Sequence, residues 1–226
     1  VSVKKIILLT DESDPVETGL DIYGEYENMI ESCRDEYEFP DFDENAVATC
    51  FYTTGTTGLP KGVYFSHRQI VLHTYGLMSA LSSYKTHMSV DSGDIYMPLT
   101  PMFHVHAWGM PYLFTMMGNK QVYPGKYEPE MLLKLILNEK VTFSHCVPTI
   151  IHMLLNSPVI DEIDLSNWTV VIGGAALPKG LCRAALERKI NIYGAYGMSE
   201  TCPLLTVANL KEHMLDWDYD AQTNIR

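Results

Sequence analysis

From residue 46 to residue 208, short apolar β-prone runs alternate with helix-like patterns, and this alternation restricts the chain to very few architectures. Ala46–Tyr52, Gly62–Phe65, Ile95–Leu99, Gln121–Tyr123, Val141–Cys146, Trp168–Ile172, Ile190–Tyr193 and Leu204–Ala208 read as strands. Between them, Ser66–Tyr84, His106–Met117, Pro129–Glu139, Pro148–Leu155 and Pro178–Arg188 read as helices. Ser66 is the cap of the first, prolines open the last three, and Gly118 stops the second. Val3–Leu9 reads as a further strand of buried type, and a short helix is expected near Glu25–Cys33. Strand and helix units joined by connections of this length predict an α/β fold, with a largely parallel sheet covered by helices on both faces. Such sheets hold their ligands at the carboxyl ends of the strands.

Tyr52-Thr-Thr-Gly-Thr-Thr-Gly-Leu-Pro-Lys61-Gly62 is the most informative loop. It packs four hydroxyls (Thr53, Thr54, Thr56, Thr57), two glycines that allow close backbone approach (Gly55, Gly58) and one cation (Lys61) into a short turn suited to polyanionic oxygens. A nucleotide triphosphate fits that surface best; a flexible polar turn is the plain alternative. It is not a Walker A loop, since Pro60 and Gly62 stand where that motif needs glycine and a hydroxyl. Three further loops, Pro101–His104, Gly173–Ala176 and Gly194–Glu200, also follow predicted strands. The four are expected to line one crevice.

The threonine-rich loop resembles the AMP-binding signature of the adenylate-forming superfamily, which includes acyl-CoA synthetases, luciferases and nonribosomal peptide adenylation domains. Pro101-Met102-Phe103-His104-Val105-His106-Ala107-Trp108-Gly109, Gly173-Gly174-Ala175-Ala176-Leu177 and Tyr196-Gly197-Met198-Ser199-Glu200-Thr201 resemble its next motifs, in the same order. The resemblance covers essentially the whole chain, as the central part of the family's large N-terminal domain. With Lys120-Gln121-Val122-Tyr123-Pro124-Gly125, the Trp108 stretch looks most like bacterial and archaeal medium- or long-chain fatty-acyl-CoA synthetases. What this implies is an AMP-forming ligase: fatty acid and ATP give an acyl-adenylate and pyrophosphate, and CoA then takes the acyl group as a thioester.

Site roles follow from the same resemblance. Lys61 and the threonines hold phosphates, Glu200 binds Mg²⁺ together with the Thr53 hydroxyl, and Ser199, where threonine is more usual, contacts the α-phosphate. Gly194, Ala195 and Tyr196 contact adenine, Tyr196 by stacking. The backbone at Gly174 lies beside the acyl carboxylate and adenine, His104 abuts carboxylate and nucleotide, and Val105 and Trp108 line the route to the acyl chain. Outside this context Gly173–Ala176 reads as a tight turn, and His104 and Trp108 as ordinary core residues. An aryl- or amino-acid-adenylating enzyme of the same superfamily and a noncatalytic nucleotide-binding module are the competing readings. A serine hydrolase is not supported, because Gly197-Met198-Ser199-Glu200-Thr201 ends in threonine where the nucleophile elbow needs glycine.

The formal charge of −12 opposes nucleic-acid binding, which depends on Lys and Arg neutralising phosphates. Half of the acidic side chains, 14 of 28, fall in residues 1–50, so residues 1–45 read as an acidic lead-in and 46–226 as the nucleotide- and acyl-binding region. A cation site in that lead-in is the sharper alternative to a solvated surface. Cys33, Cys50, Cys146, Cys182 and Cys202 are odd in number and widely spaced, which suits a reduced, cytoplasmic setting. His104, His106, His145 and His152 lack zinc spacing beside Cys146 and read as core or pocket histidines. No apolar run is long enough to span a bilayer, and a homodimer stays open. Ser92-Gly93-Asp94 imitates the family's ribose-binding aspartate motif in the wrong order and reads as a turn. By resemblance the chain is the middle of a protein more than twice as long. The first N-terminal subdomain lies upstream, and the ribose-binding aspartate and the C-terminal domain with its catalytic lysine lie downstream. The 226-residue piece is therefore expected to be unable to complete the cycle.

Overall fold

Ser66 does at the start of the first long helix what its sequence context predicts. In the computed structural model, which describes residues 3–10, 17–53, 58–84, 86 and 88–226, its backbone N–H donates to Gln69 Oε1 (2.8 Å) while Gln69 N–H donates to Ser66 Oγ (3.3 Å). This reciprocal cap satisfies two otherwise orphaned donors. The chain divides into two units, residues 1–42 and 43–226.

In the first unit β1 (Ile7–Leu8) pairs in parallel with β2 (Gly24–Glu25), and α1 (Tyr26–Glu31) follows, capped by the Glu25 carboxylate. The strand expected over Val3–Leu9 is reduced to two residues and is not of buried type: Val3 is 79 % and Leu9 70 % exposed. One short partner strand offers no apolar face to cover them, and none of the α1 residues is buried.

The second unit begins with β3 (Val47–Thr53) and β4 (Lys61–Ser66), an antiparallel hairpin in which Tyr52 pairs with Gly62 and Thr53 with Lys61. The threonine-rich loop therefore joins two antiparallel strands of a separate two-stranded sheet and does not follow a strand of the parallel one. Only residues 54–60 link the strands, and a parallel crossover needs a dozen residues or more. Helix α2 (His67–Ser82) follows.

The main sheet is built from β5 (Ile95–Pro98), β6 (Lys120–Gln121), β7 (Phe143–Cys146), β8 (Thr169–Ile172), β9 (Asn191–Gly197) and β10 (Leu204–Val207). Their spatial order is β6-β5-β7-β8-β9-β10, and only β10 runs antiparallel. Every residue of β7 and β8 is buried, as strands covered on both faces require. Successive residues serve opposite faces. Met97, Val170, Ile172 and Ile192 pack with α5 (Pro129–Glu139), α6 (Pro148–Leu155) and α7 (Lys179–Glu187). Tyr96, Phe143, Val171 and Tyr193 pack with α2 and with α4 (Met110–Met116). Helix α8 (Tyr219–Ile225) ends the described chain. Asp91–Asp94 forms the expected turn, Gly93 N–H donating to Asp91 Oδ1 (2.7 Å) and Asp91 N–H to Asp94 Oδ2 (2.8 Å).

The helix expected over His106–Met117 is not continuous. Val105, His106, Ala107 and Trp108 have φ of 49°, 54°, 46° and 60°, so α3 (Val105–Trp108) is a single left-handed turn, and the right-handed helix starts only at Met110. Gly109, at φ 75°, makes the reversal, and Pro111 sits in the first turn of α4. A left-handed conformation costs each non-glycine residue about 1–2 kcal/mol. Burial of Val105, Ala107 and Trp108 opposes that strain, as does His106 Nε2 at 2.8 Å from Thr49 Oγ1.

Candidate active site

Three loops at the carboxyl edge of the parallel sheet meet around a cleft of about 220 Å³. The connection after β5 supplies His104, Val105 and Trp108; the turn after β8 supplies Gly173 and Gly174; β9 and its extension supply Ala195, Tyr196, Gly197, Met198 and Ser199. Pro203 and Leu204, at the start of β10, close the remaining side. Seven of the residues singled out in the sequence therefore share one concavity: His104, Val105, Trp108, Gly174, Ala195, Tyr196 and Ser199.

Local structure explains why each is there. Leu99 N–H donates to His145 O (3.2 Å), carrying β5 one residue past its last pair before His104 turns back with its N–H on Pro101 O (3.0 Å). Gly174 has φ 74°, a conformation that lets the chain turn away from β8 while its backbone stays at the cleft wall. A Cβ on Gly173 would lie 3.0 Å from Cη2 of Trp108, so the bare glycine leaves the indole room at the wall. Gly197 permits a still closer approach, since a Cβ there would lie 2.2 Å from Pro203 O. Met198 N–H donates to Pro203 O (3.1 Å) and Thr201 Oγ1 to Met198 O (2.9 Å), which fixes the turn bearing Ser199 and Glu200. Tyr196 is 58 % exposed and presents a free aromatic face.

The other expected site residues that the structure describes are not among those lining the cleft. Thr53 and Lys61 face each other across the end of the β3–β4 hairpin, Lys61 and Gly58 are exposed, and none of the three lines the cleft. Thr54, Gly55, Thr56 and Thr57 fall outside the described residues. Gly194 lies in β9 just before Ala195, its N–H committed to Arg226 O (3.0 Å). Glu200 adjoins Ser199 in a short 3₁₀ turn, exposed and outside all five ion pairs among the described residues.

Glu200 is an exposed carboxylate next in sequence to the cleft-lining Ser199, and Mg²⁺ takes one or two carboxylates and completes its shell with phosphates and water. No group of three acidic, histidine or cysteine side chains among the described residues forms a cage of protein ligands. Neither Thr53 nor Glu200 is among the residues lining the cleft.

Sequence reading missed Pro203 and Leu204. Their only signal was position, directly after the last motif. Leu204 also lines a second, mainly apolar cavity of about 340 Å³ between α2 and β10, whose walls include Leu77, Leu81, Met88 and Val207. Burial lowers the imidazole pKa values of His73, on that cavity, and of His106, and pushes the Cys202 thiol up to about 11. His145 and Cys146 lie fully buried in β7. No helix among the described residues is long and apolar enough to cross a membrane.

The chain is 35 % identical over 232 residues to a medium-chain-fatty-acid--CoA ligase of Ectopseudomonas oleovorans, covering 99 % of this chain and 41 % of that protein. It is 36 % identical to a long-chain-fatty-acid--CoA ligase of Thermus thermophilus, covering 85 % of this chain and 34 % of the relative. The chain thus spans well under half the length of these relatives. Among solved structures, a long-chain-fatty-acid-CoA ligase of Archaeoglobus fulgidus superposes with a TM-score of 0.68 at 24 % identity, over 91 % of this chain and 41 % of that one. A luciferase-like enzyme of the mealworm Zophobas morio gives 0.71 at 23 % identity, over 95 % and 48 %. These likenesses match the mostly parallel sheet and its helices, and residues 2–223 match the AMP-binding enzyme family: the chain belongs to that family.

Proposed function

We propose that this chain is the nucleotide- and acyl-binding portion of an AMP-forming acyl-CoA synthetase that activates an aliphatic, fatty-type carboxylic acid. The observation that carries the proposal is the convergence of His104, Trp108, Gly174, Tyr196 and Ser199 on one cleft at the carboxyl edge of the sheet. Adenylation brings a carboxylate oxygen onto the α-phosphorus of ATP as pyrophosphate leaves, so two anions must be held together and transition-state charge absorbed. In this reading Tyr196 stacks on adenine, Ser199 donates its hydroxyl to an α-phosphate oxygen, and the glycine backbone at 173–174 leaves room for the acyl carboxylate beside His104. Lys61 and the threonine loop take the β- and γ-phosphates once the β3–β4 hairpin and the cleft share a nucleotide. Mg²⁺ held at Glu200 supplies charge neutralisation on the phosphates when bound. CoA then accepts the acyl group as a thioester.

The acid's tail is assigned to the apolar space past Trp108 and Leu204. Among the described residues, those lining the cleft and the adjoining cavity include no aspartate or glutamate to hold the ammonium of an amino acid. The five cysteines are free, which suits a reducing compartment such as the cytoplasm. The test is calorimetric titration of Mg-ATP into the full-length protein and its Tyr196→Ala variant. Loss of base stacking is expected to weaken binding by about 1–3 kcal/mol, and unchanged affinity would remove Tyr196 from the nucleotide site.

A further inference from the structure

β7 carries a side chain that neither the core nor the proposed chemistry requires. His145 is 0 % exposed in the interior of the sheet, between β5 and β8. Its Nε2 lies 2.6 Å from Tyr96 Oη, whereas its Nδ1 is buried without a hydrogen-bond partner. Tyr96 is itself fully buried and lies flat on Phe114, with ring centroids 4.1 Å apart at 5°. The hydroxyl and this stack together fix the plane of the imidazole. Against that plane lies the indole of Trp108, 4.9 Å away at 38°.

Trp108 is buried, and His145 is the aromatic ring that lies against it. Its backbone belongs to the strained left-handed turn, and on the cleft side its far edge meets the bare backbone of Gly173 and Gly174. The indole therefore lies between a buried imidazole anchored by the Tyr96 hydroxyl and a glycine turn that offers no side chain. Burial keeps His145 neutral, so the support is a ring and not a charge.

We propose that His145 and Tyr96 are positioning residues that set the orientation of the Trp108 indole in the cleft wall, and through it the length of acid the enzyme accepts. The inference rests on the acyl-CoA synthetase reading above. Tyr96→Phe removes one oxygen and keeps the stack on Phe114; His145→Leu removes the supporting ring.

Two readouts on the full-length protein test it. In the first, kcat/KM is measured across a saturated fatty-acid series at saturating ATP. Both variants should change the ratio of long- to short-chain activity by about fourfold for each methylene admitted or excluded, with the KM for ATP unchanged. In the second, the protein is labelled with 5-fluorotryptophan, and the fluorine resonance of Trp108, assigned by Trp108→Phe, should shift or broaden in Tyr96→Phe while those of Trp168 and Trp217 stay in place. Tyr96→Phe decides the matter even if His145→Leu does not fold. A folded Tyr96→Phe protein with the parental chain-length ratio and an unmoved Trp108 resonance overturns the proposal. A parent silent on every acid overturns the synthetase reading instead, and the fluorine spectrum then decides alone whether the pair orients the indole.

Discussion

Acid should destabilise this chain through one residue in particular. An imidazole in an unfolded chain takes up its proton near pH 6.5, whereas burial pushes His145 down to about 3. Above pH 6.5 both states are neutral at this site and it contributes no pH dependence. Below that, the unfolded state binds a proton that the native state refuses, so stability falls as pH is lowered towards 3. Between pH 7.5 and pH 4.5 the loss amounts to about 2.7 kcal/mol, from roughly two pH units at 1.36 kcal/mol each. The perturbation is His145→Gln, which removes the titrating group and retains polarity. Urea unfolding of both proteins at pH 7.5, 6.5, 5.5 and 4.5 gives the stability gap at each pH. His73 and His106, whose pKa values burial also lowers, are present in both proteins and cancel. The parent is expected to be the more stable at pH 7.5, and the gap to shrink, or reverse, by about 2.7 kcal/mol at pH 4.5. A constant gap would mean that His145 protonates in the native state, which would refute the argument from burial.

Glu200→Gln in the full-length protein should weaken Mg-dependent ATP turnover at least tenfold, about 1.4 kcal/mol, because a charged metal ligand becomes neutral; an unchanged profile of pyrophosphate release against magnesium would remove it from the site. Trp108→Ala should raise activity on longer acids, at about 0.8 kcal/mol per additional buried methylene, and identical chain-length profiles would make the indole ordinary core. Gly197→Ala should cost about 1–3 kcal/mol of stability, because its Cβ would meet Pro203 O at 2.2 Å; an unshifted unfolding midpoint would show that β9 and β10 are not so close. The 226 residues expressed alone are expected to give negligible ATP–pyrophosphate exchange, because among the described residues no lysine lines the cleft. Robust acid-dependent exchange by that chain would refute this.

Periodicity and punctuation made much of the fold legible before any coordinates. β7 and β8 are short strands buried at every residue, and Ser66, Pro129 and Pro148 mark helix starts that the structure reproduces. The cleft was legible because loops after β5, β8 and β9 carry motif residues that a parallel sheet gathers at one edge. Three features were not. The pairing of β3 with β4 depends on which edge they join, and two β-prone runs say nothing of that. The left-handed turn at Val105–Trp108 is opposed by local preference and stands on contacts with Thr49 and the core. His145 and Tyr96 are 49 residues apart and look like any core pair until the parallel register of β5 and β7 brings them together.

The central claim is tested most directly by ATP–pyrophosphate exchange in the full-length protein, run with saturated fatty acids, aryl acids and amino acids in turn, followed by mass spectrometry of the products after CoA is added. The account predicts Mg-dependent exchange that requires a fatty acid, and a fatty-acyl-CoA thioester with AMP once CoA is present. Nucleotide binding with no acid-dependent exchange, or exchange supported by amino acids alone, would contradict it.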